Sequence, residues 1–189
     1  MHLPVVVGIS GASGAALGLA VLDLLQEAGV ETHLVVTRAG ERVLGLELNL
    51  AVADLDARAT RRWPNDELAA PIASGTFRTA GMIVAPCSMS SVSAVASSRS
   101  SNLLERAADV TLKERRPLVL MAREAPLHVG HLRRLLEAAE LGATILPPVP
   151  AFYARPTSMD DLVEQIAARA IDQLGIDGGK LRRWSGPKG

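Results

Sequence analysis

The segment Gly8-Ile9-Ser10-Gly11-Ala12-Ser13-Gly14 follows an apolar run and spaces its glycines as G-x-x-G-x-x-G. Glycine lets a chain turn sharply and lets its backbone approach a ligand, and a helix starting there offers unpaired N–H groups to an anion. The spacing is not the dinucleotide pattern G-x-G-x-x-G, and the second apolar run ends in Thr37-Arg38 rather than in an acidic ribose ligand, which weakens an NAD reading. Arg38 leaves a 2′-phosphate reader open. However, Tyr153, the sole tyrosine, has no lysine four residues on, as a short-chain dehydrogenase would require. A plain tight turn between strand and helix is the structural alternative.

A second chemical cluster is Ala85-Pro86-Cys87-Ser88-Met89-Ser90-Ser91. Its hydroxyls can cap a helix start or hydrogen-bond a polar ring edge or phosphate, and the sequence leaves both readings open. Cys87 reads as a small buried hydrophobe, with no cationic neighbour to lower its pKa. Arg106 and Lys113 are two helical turns apart and share a face, which makes a paired anion site feasible, whereas Arg115 and Arg116 read as a solvated face. Arg123-Glu124-Ala125-Pro126 directly follows an apolar run. There Arg123 can fork onto a phosphate and Glu124 can move protons; an exposed ion pair of little energetic weight is the alternative. The stiff segment Pro147-Pro148-Val149-Pro150-Ala151-Phe152-Tyr153 can hold Tyr153 in place or form a structural corner. Arg169 reads as surface charge. His2, His33, His128 and His131 show no metal spacing, and the last two read as a helix-start pair.

The elements that must position these groups alternate. Strands are expected over 4–9, 32–36, 82–85 (ended by Pro86), 118–122 and 144–146. Helices are expected over 15–28, 41–48, 102–113, 129–141 and 158–174, the last with a box-like start at Ser158 and Asp161. The polar stretch 54–71 reads as a surface excursion. Such βαβα alternation predicts an α/β fold of three layers, a doubly wound, Rossmann-like or flavodoxin-like parallel sheet in a single domain, with ligands at the carboxyl ends of the strands.

Composition agrees. Of 189 residues 48% are apolar and only 3% aromatic, so Val, Leu, Ile and Ala must fill the core. Lys plus Arg and Asp plus Glu number 20 each, so no net basic charge supports a role resting on nucleic-acid phosphates. The single cysteine excludes an intramolecular disulfide, no apolar stretch approaches the ~20 residues of a membrane span, and no basic leader precedes the first strand. A soluble protein of a reducing compartment, the cytoplasm, is expected.

Taken together and in order, GISGASGA (8–15), IASGTF (72–77), GMIVAPCSM (81–89), NLLERAADVTLKE (102–114), LVLMAREAP (118–126), PPVPAFY (147–153) and DQLGID (172–177) resemble the flavin prenyltransferases, the UbiX family. The resemblance implies an FMN-binding domain over 1–177 with a flexible tail over 178–189. It also implies metal-free transfer of a dimethylallyl group from dimethylallyl phosphate to N5 and then C6 of reduced FMN. The product, prenylated FMN, would serve a UbiD-type decarboxylase, and the enzyme would be a trimer-based dodecamer with sites between subunits. By positional match Gly11, Ala12, Ser13, Thr37, Ser88, Met89, Ser90, Ser91 and Arg123 would contact FMN. Lys113, Tyr153 and Arg169 would hold the prenyl phosphate with Arg106 and Ser13 near it, Glu124 would relay protons, and Glu47 matches a further acidic site residue. Two departures stand out: Ser90-Ser91 where the family commonly has lysine and threonine, and Leu68 where many members carry an aromatic. The competing readings are an FMN-dependent cysteine decarboxylase and a non-catalytic FMN-binding subunit.

Overall fold

The computed structural model describes residues 3–186. His2 and residues 187–189 of the expected tail lie outside the described residues. Six strands form one parallel sheet: β1 (Val5–Ile9), β2 (Thr32–Val36), β3 (Arg61–Trp63), β4 (Gly81–Cys87), β5 (Leu118–Ala122) and β6 (Thr144–Ile145), in the order β3-β2-β1-β4-β5-β6. Helices α1 (Ala15–Glu27), α2 (Arg38–Leu48), α3 (Met89–Ala96), α4 (Leu103–Lys113), α5 (Val129–Glu140) and α6 (Met159–Asp172) cover its two faces.

Residues of opposite parity along the strands feed two cores, as period-two alternation demands. Val5, Val7, Ile9 and Ile83 pack with α1 and α6, while Val6, Met82, Val84, Leu118 and Leu120 pack with α3 and α4. Strands buried on both faces explain why β1 and β5 read as unbroken apolar runs, while β2, equally buried, opens with Thr32 and His33. The three-layer, doubly wound expectation is met.

Three expectations are corrected. Within the stretch taken as a surface excursion, Arg61–Trp63 pairs with β2 as an edge strand, His33 beside Arg61 and Val35 beside Trp63. An edge strand needs little apolar character, and here its charge is held outside by an Arg62–Asp56 ion pair. β4 does not end at Pro86 but continues to Cys87 through a register shift after Val84. A bulge frees the ladder position that proline cannot donate to. α2 begins at Arg38 rather than Glu41, because Thr37 Oγ1 accepts from the Gly40 N–H at 3.0 Å and caps the extra turn.

The β2–β3 edge also carries a titrating group. Trp63 Nε1–H donates to His33 Nδ1 at 3.0 Å, which requires a neutral imidazole. Burial, with Arg61 beside it and against the opposing pull of Glu31, lowers the His33 pKa below its ordinary value. The unfolded chain therefore takes this proton at higher pH than the folded one. The stabilisation is complete above about pH 6.5 and is lost as pH falls below it, toward the folded value. Urea unfolding should show the wild type losing more stability than His33→Phe between pH 7.5 and 5.5; equal losses would remove His33 as the cause.

Beyond α6 the chain runs back along that helix. Gln165 donates to the Lys180 carbonyl at 2.8 Å and accepts from the Arg182 N–H at 2.9 Å, and Arg182 pairs with Asp161 at 2.7 Å. Among the described residues no helix is long and apolar enough to cross a membrane. Nor do His, Cys, Asp or Glu side chains among them gather in a group that could hold a metal ion.

Candidate active site

In a parallel sheet each helix begins beside the carboxyl end of the strand before it. The starts of α1, α2 and α3 therefore stand side by side above β1, β2 and β4. The strand order reverses between β1 and β4, the crevice where α/β sheets take ligands.

Ser10 welds that crevice. It is 1% exposed; its hydroxyl donates to the Pro86 carbonyl at 3.0 Å and accepts from the Ser88 N–H at 2.8 Å, joining the loop after β1 to the loop after β4. Gly14 closes the first loop at φ 109°, a conformation that favours glycine. Gly11 lies so close to α2 that a Cβ there would stand 2.3 Å from the Ala39 Cβ.

The first N–H groups of α1, expected to face a ligand anion, are taken from within the chain. Glu47 on α2 accepts from Gly14 N–H at 2.9 Å and Ala15 N–H at 2.9 Å. Partial burial pushes this carboxyl up, but hydrogen bonds from the Ser13 hydroxyl and from those N–H groups, with the nearby Arg123 charge, bring it below the usual carboxylate value. Glu47 thus stays ionised and braces the Gly11–Gly14 loop.

Thr37 caps α2, and Ser88 caps α3 by accepting from the Ser91 N–H at 3.3 Å, so the capping reading holds for Ser88. Met89 is buried, whereas Ser13, Ser90, Arg123 and Glu124 are exposed on this edge. Arg123 N–H donates to the Cys87 carbonyl at 3.0 Å, which fixes the start of the loop that carries Glu124. Burial raises the Cys87 thiol to about 12, so it is no nucleophile at neutral pH.

The remaining predicted residues lie elsewhere. Lys113 ends α4 and leads toward the start of β5, the sheet edge opposite to Glu124. Lys113 and Arg106 line a groove with Ser74, Gly75 and Arg116; Lys113 pairs with Glu114, and Arg106 with Asp109 at 3.0 Å. Tyr153 and Arg169 line another cleft, against Gln165 and Pro147. Neither cleft is lined by Ser13, Arg123 or Glu124. A single chain thus holds three separate clusters, as a site shared between subunits would require. One correction concerns Arg116. Far from a solvated charge, it donates to the Gly75 carbonyl at 2.6 Å and to that of Phe77 at 2.8 Å.

The general Flavoprotein family model matches residues 1–171. The flavin prenyltransferase UbiX of Thauera aromatica is 51% identical over 182 residues, covering 96% of this chain and 94% of that protein. A UbiX crystal structure in complex with FMN and dimethylallyl pyrophosphate has a TM-score of 0.96 at 44% identity, with 100% of both chains covered. This chain belongs to the flavin prenyltransferase family. A dodecameric FMN-dependent UbiX-like decarboxylase from Escherichia coli O157:H7 has a TM-score of 0.93 at 43% identity, over 97% of this chain and 100% of that one.

For a flavin prenyltransferase the Ser10 weld is testable. Ser10→Ala leaves the Ser88 N–H without a partner and the Pro86 carbonyl with the Ser10 backbone N–H alone, at 3.1 Å, at a cost of about 1–3 kcal/mol for the donor left unmade. Urea unfolding should register that loss, and flavin fluorescence titration should show weaker FMN binding. Wild-type values in both would refute the coupling of the two loops.

Proposed function

We propose that this chain transfers the dimethylallyl group of dimethylallyl phosphate to reduced FMN, giving prenylated FMN for a UbiD-type decarboxylase. What supports the reading is the strand-end crevice, where exposed hydroxyl, guanidinium and carboxylate groups meet over rigidly welded loops in a chain of this family. The donor set fits FMN: the exposed Ser13, Ser90 and Arg123 suit a phosphate and a polar ring edge.

In this reading Gly11, Ala12, Ser13, Thr37, Ser88–Ser91 and Arg123 hold FMN. Reduced FMN supplies the nucleophile, first at N5 and then at C6. Arg106, Lys113, Tyr153 and Arg169 receive the phosphate, so that the charge left on it as the allylic C–O bond breaks meets cations and a phenol instead of a metal ion. Glu124 donates a proton to the departing phosphate and accepts one at ring closure. Glu47 acts through the Gly11–Gly14 loop that it braces.

Neighbouring copies of the chain complete each site, because no one chain brings the three clusters together. A trimer-based dodecamer is the assembly that this reading adopts, in the cytoplasm. In this reading the FMN-binding domain ends at residue 177, and the described segment beyond it is an appendage tied along α6 through Gln165 and Arg182.

The test is incubation of the protein with reduced FMN and dimethylallyl phosphate in chelator, followed by mass spectrometry of the flavin. A five-carbon gain is expected. Bound FMN of unchanged mass would favour the non-catalytic subunit, and carbon dioxide released from a cysteine-ended peptide would favour the decarboxylase.

A further inference from the structure

We infer that Arg116 is a positioning residue for the prenyl phosphate, acting through the backbone of the loop beneath Lys113. This rests on the assignment of Lys113 to that phosphate.

Arg116 has no carboxylate partner among the described residues. Its guanidinium instead spans one loop, donating through Nη2 to the Gly75 carbonyl at 2.6 Å and through Nη1 to the Phe77 carbonyl at 2.8 Å. Arg106 reaches the same loop, its Nε–H donating to the Ala73 carbonyl at 3.1 Å. The loop is thus gripped at alternate carbonyls by Arg106 of α4 and by Arg116 from the connection between α4 and β5.

Directly above the gripped residue lies the Lys113–Glu114 ion pair. A Cβ on Gly75 would stand 2.6 Å from Lys113 Nζ and 2.0 Å from Glu114 Oε1, so the ends of both side chains lie against the Gly75 backbone and would swing aside for an alanine. The Gly75 backbone is therefore the floor on which the Lys113 ammonium rests, and Arg116 sets the level of that floor. Arginine suits the task because its planar fork meets two acceptors at once, whereas a lysine ammonium is a single point donor.

The experiment measures dimethylallyl phosphate binding to the assembled protein by calorimetry, with KM and kcat alongside. Arg116→Ala should raise Kd and KM for dimethylallyl phosphate about tenfold, equivalent to about 1.4 kcal/mol, with kcat and FMN affinity unchanged. Arg116→Lys should fall between wild type and alanine. Gly75→Ala should weaken the same ligand by displacing Lys113 while Arg116 stays in place. Arg62→Ala, which breaks the Arg62–Asp56 ion pair of the edge strand without touching Gly75 or Lys113, is the control for lost stability alone. Wild-type Kd in Arg116→Ala overturns the inference, as does equal weakening in Arg62→Ala. If the wild type binds the phosphate without transferring the prenyl group, the proposed reaction fails and the binding series still decides the role of Arg116. If the wild type does not bind it, both fail.

Discussion

Glu124→Gln is expected to slow prenyl transfer by roughly 10²- to 10³-fold while FMN affinity stays within about a factor of two, a loss in the range that removal of a positioned general acid produces. The side chain is exposed on the crevice edge, and its recorded hydrogen bond is local, from the Ala125 N–H at 3.1 Å. It braces nothing distant, so its loss should leave the fold intact. The adjacent Arg123 is anchored through its backbone to Cys87, which gives the carboxylate a fixed origin. Glutamine keeps the shape and the acceptor but has no carboxyl proton to hand to a leaving phosphate. Single-turnover kinetics report the chemical step and flavin fluorescence reports binding. Turnover equal to wild type would strip Glu124 of the role.

Much of this arrangement was legible in the residues. β1 and β5 are apolar throughout because both faces are buried, and the ordered motifs of Gly8–Ala15, Gly81–Met89 and Leu118–Pro126 each sit where a strand gives way to the crevice. What escaped has a common cause. Arg61-Arg62-Trp63 carries no strand pattern since an edge strand has one partner and a wet side. Ser10 and Arg116 work on backbone carbonyls 76 and 41 positions away, and no spacing in a sequence reports a contact made to backbone. Glu47 was found by its match to a family position, yet its place at the start of α1 is a tertiary fact, made by α2 folding back over the loop.

Leu68 marks where specificity is open to change. It is 50% exposed in the turn that follows Trp63, while Trp63 itself is tied to His33 and packed inward. The indole is thus committed to the β2–β3 edge and does not stand in for an aromatic at position 68. Leucine presents an apolar wall to whatever meets that turn, without the ring face that attracts a cation.

The separation of Lys113 from Glu124 leads to the largest effect of all, because two inactive proteins should make one active enzyme. Helices in this sheet run back from the strand tips, so the last residue of α4 must lie at the edge where β5 begins, whereas Glu124 follows the end of β5. A chain cannot close that gap within itself, but a neighbouring copy can supply the missing cation. Lys113→Ala alone should lose dimethylallyl phosphate binding, and Glu124→Gln alone should lose turnover. Co-expressed with different tags and purified through both, the two variants assort into common oligomers. If the two residues come from different subunits at random, about a quarter of the sites receive both wild-type groups, and activity should return to about that fraction. Were Lys113 and Glu124 to serve the same chain, every site would carry one defect and the mixture would stay as inactive as its parents. Prenylated flavin counted per mole of mixed oligomer separates the two outcomes, since recovery of function from two dead parents has no source other than a site shared between chains.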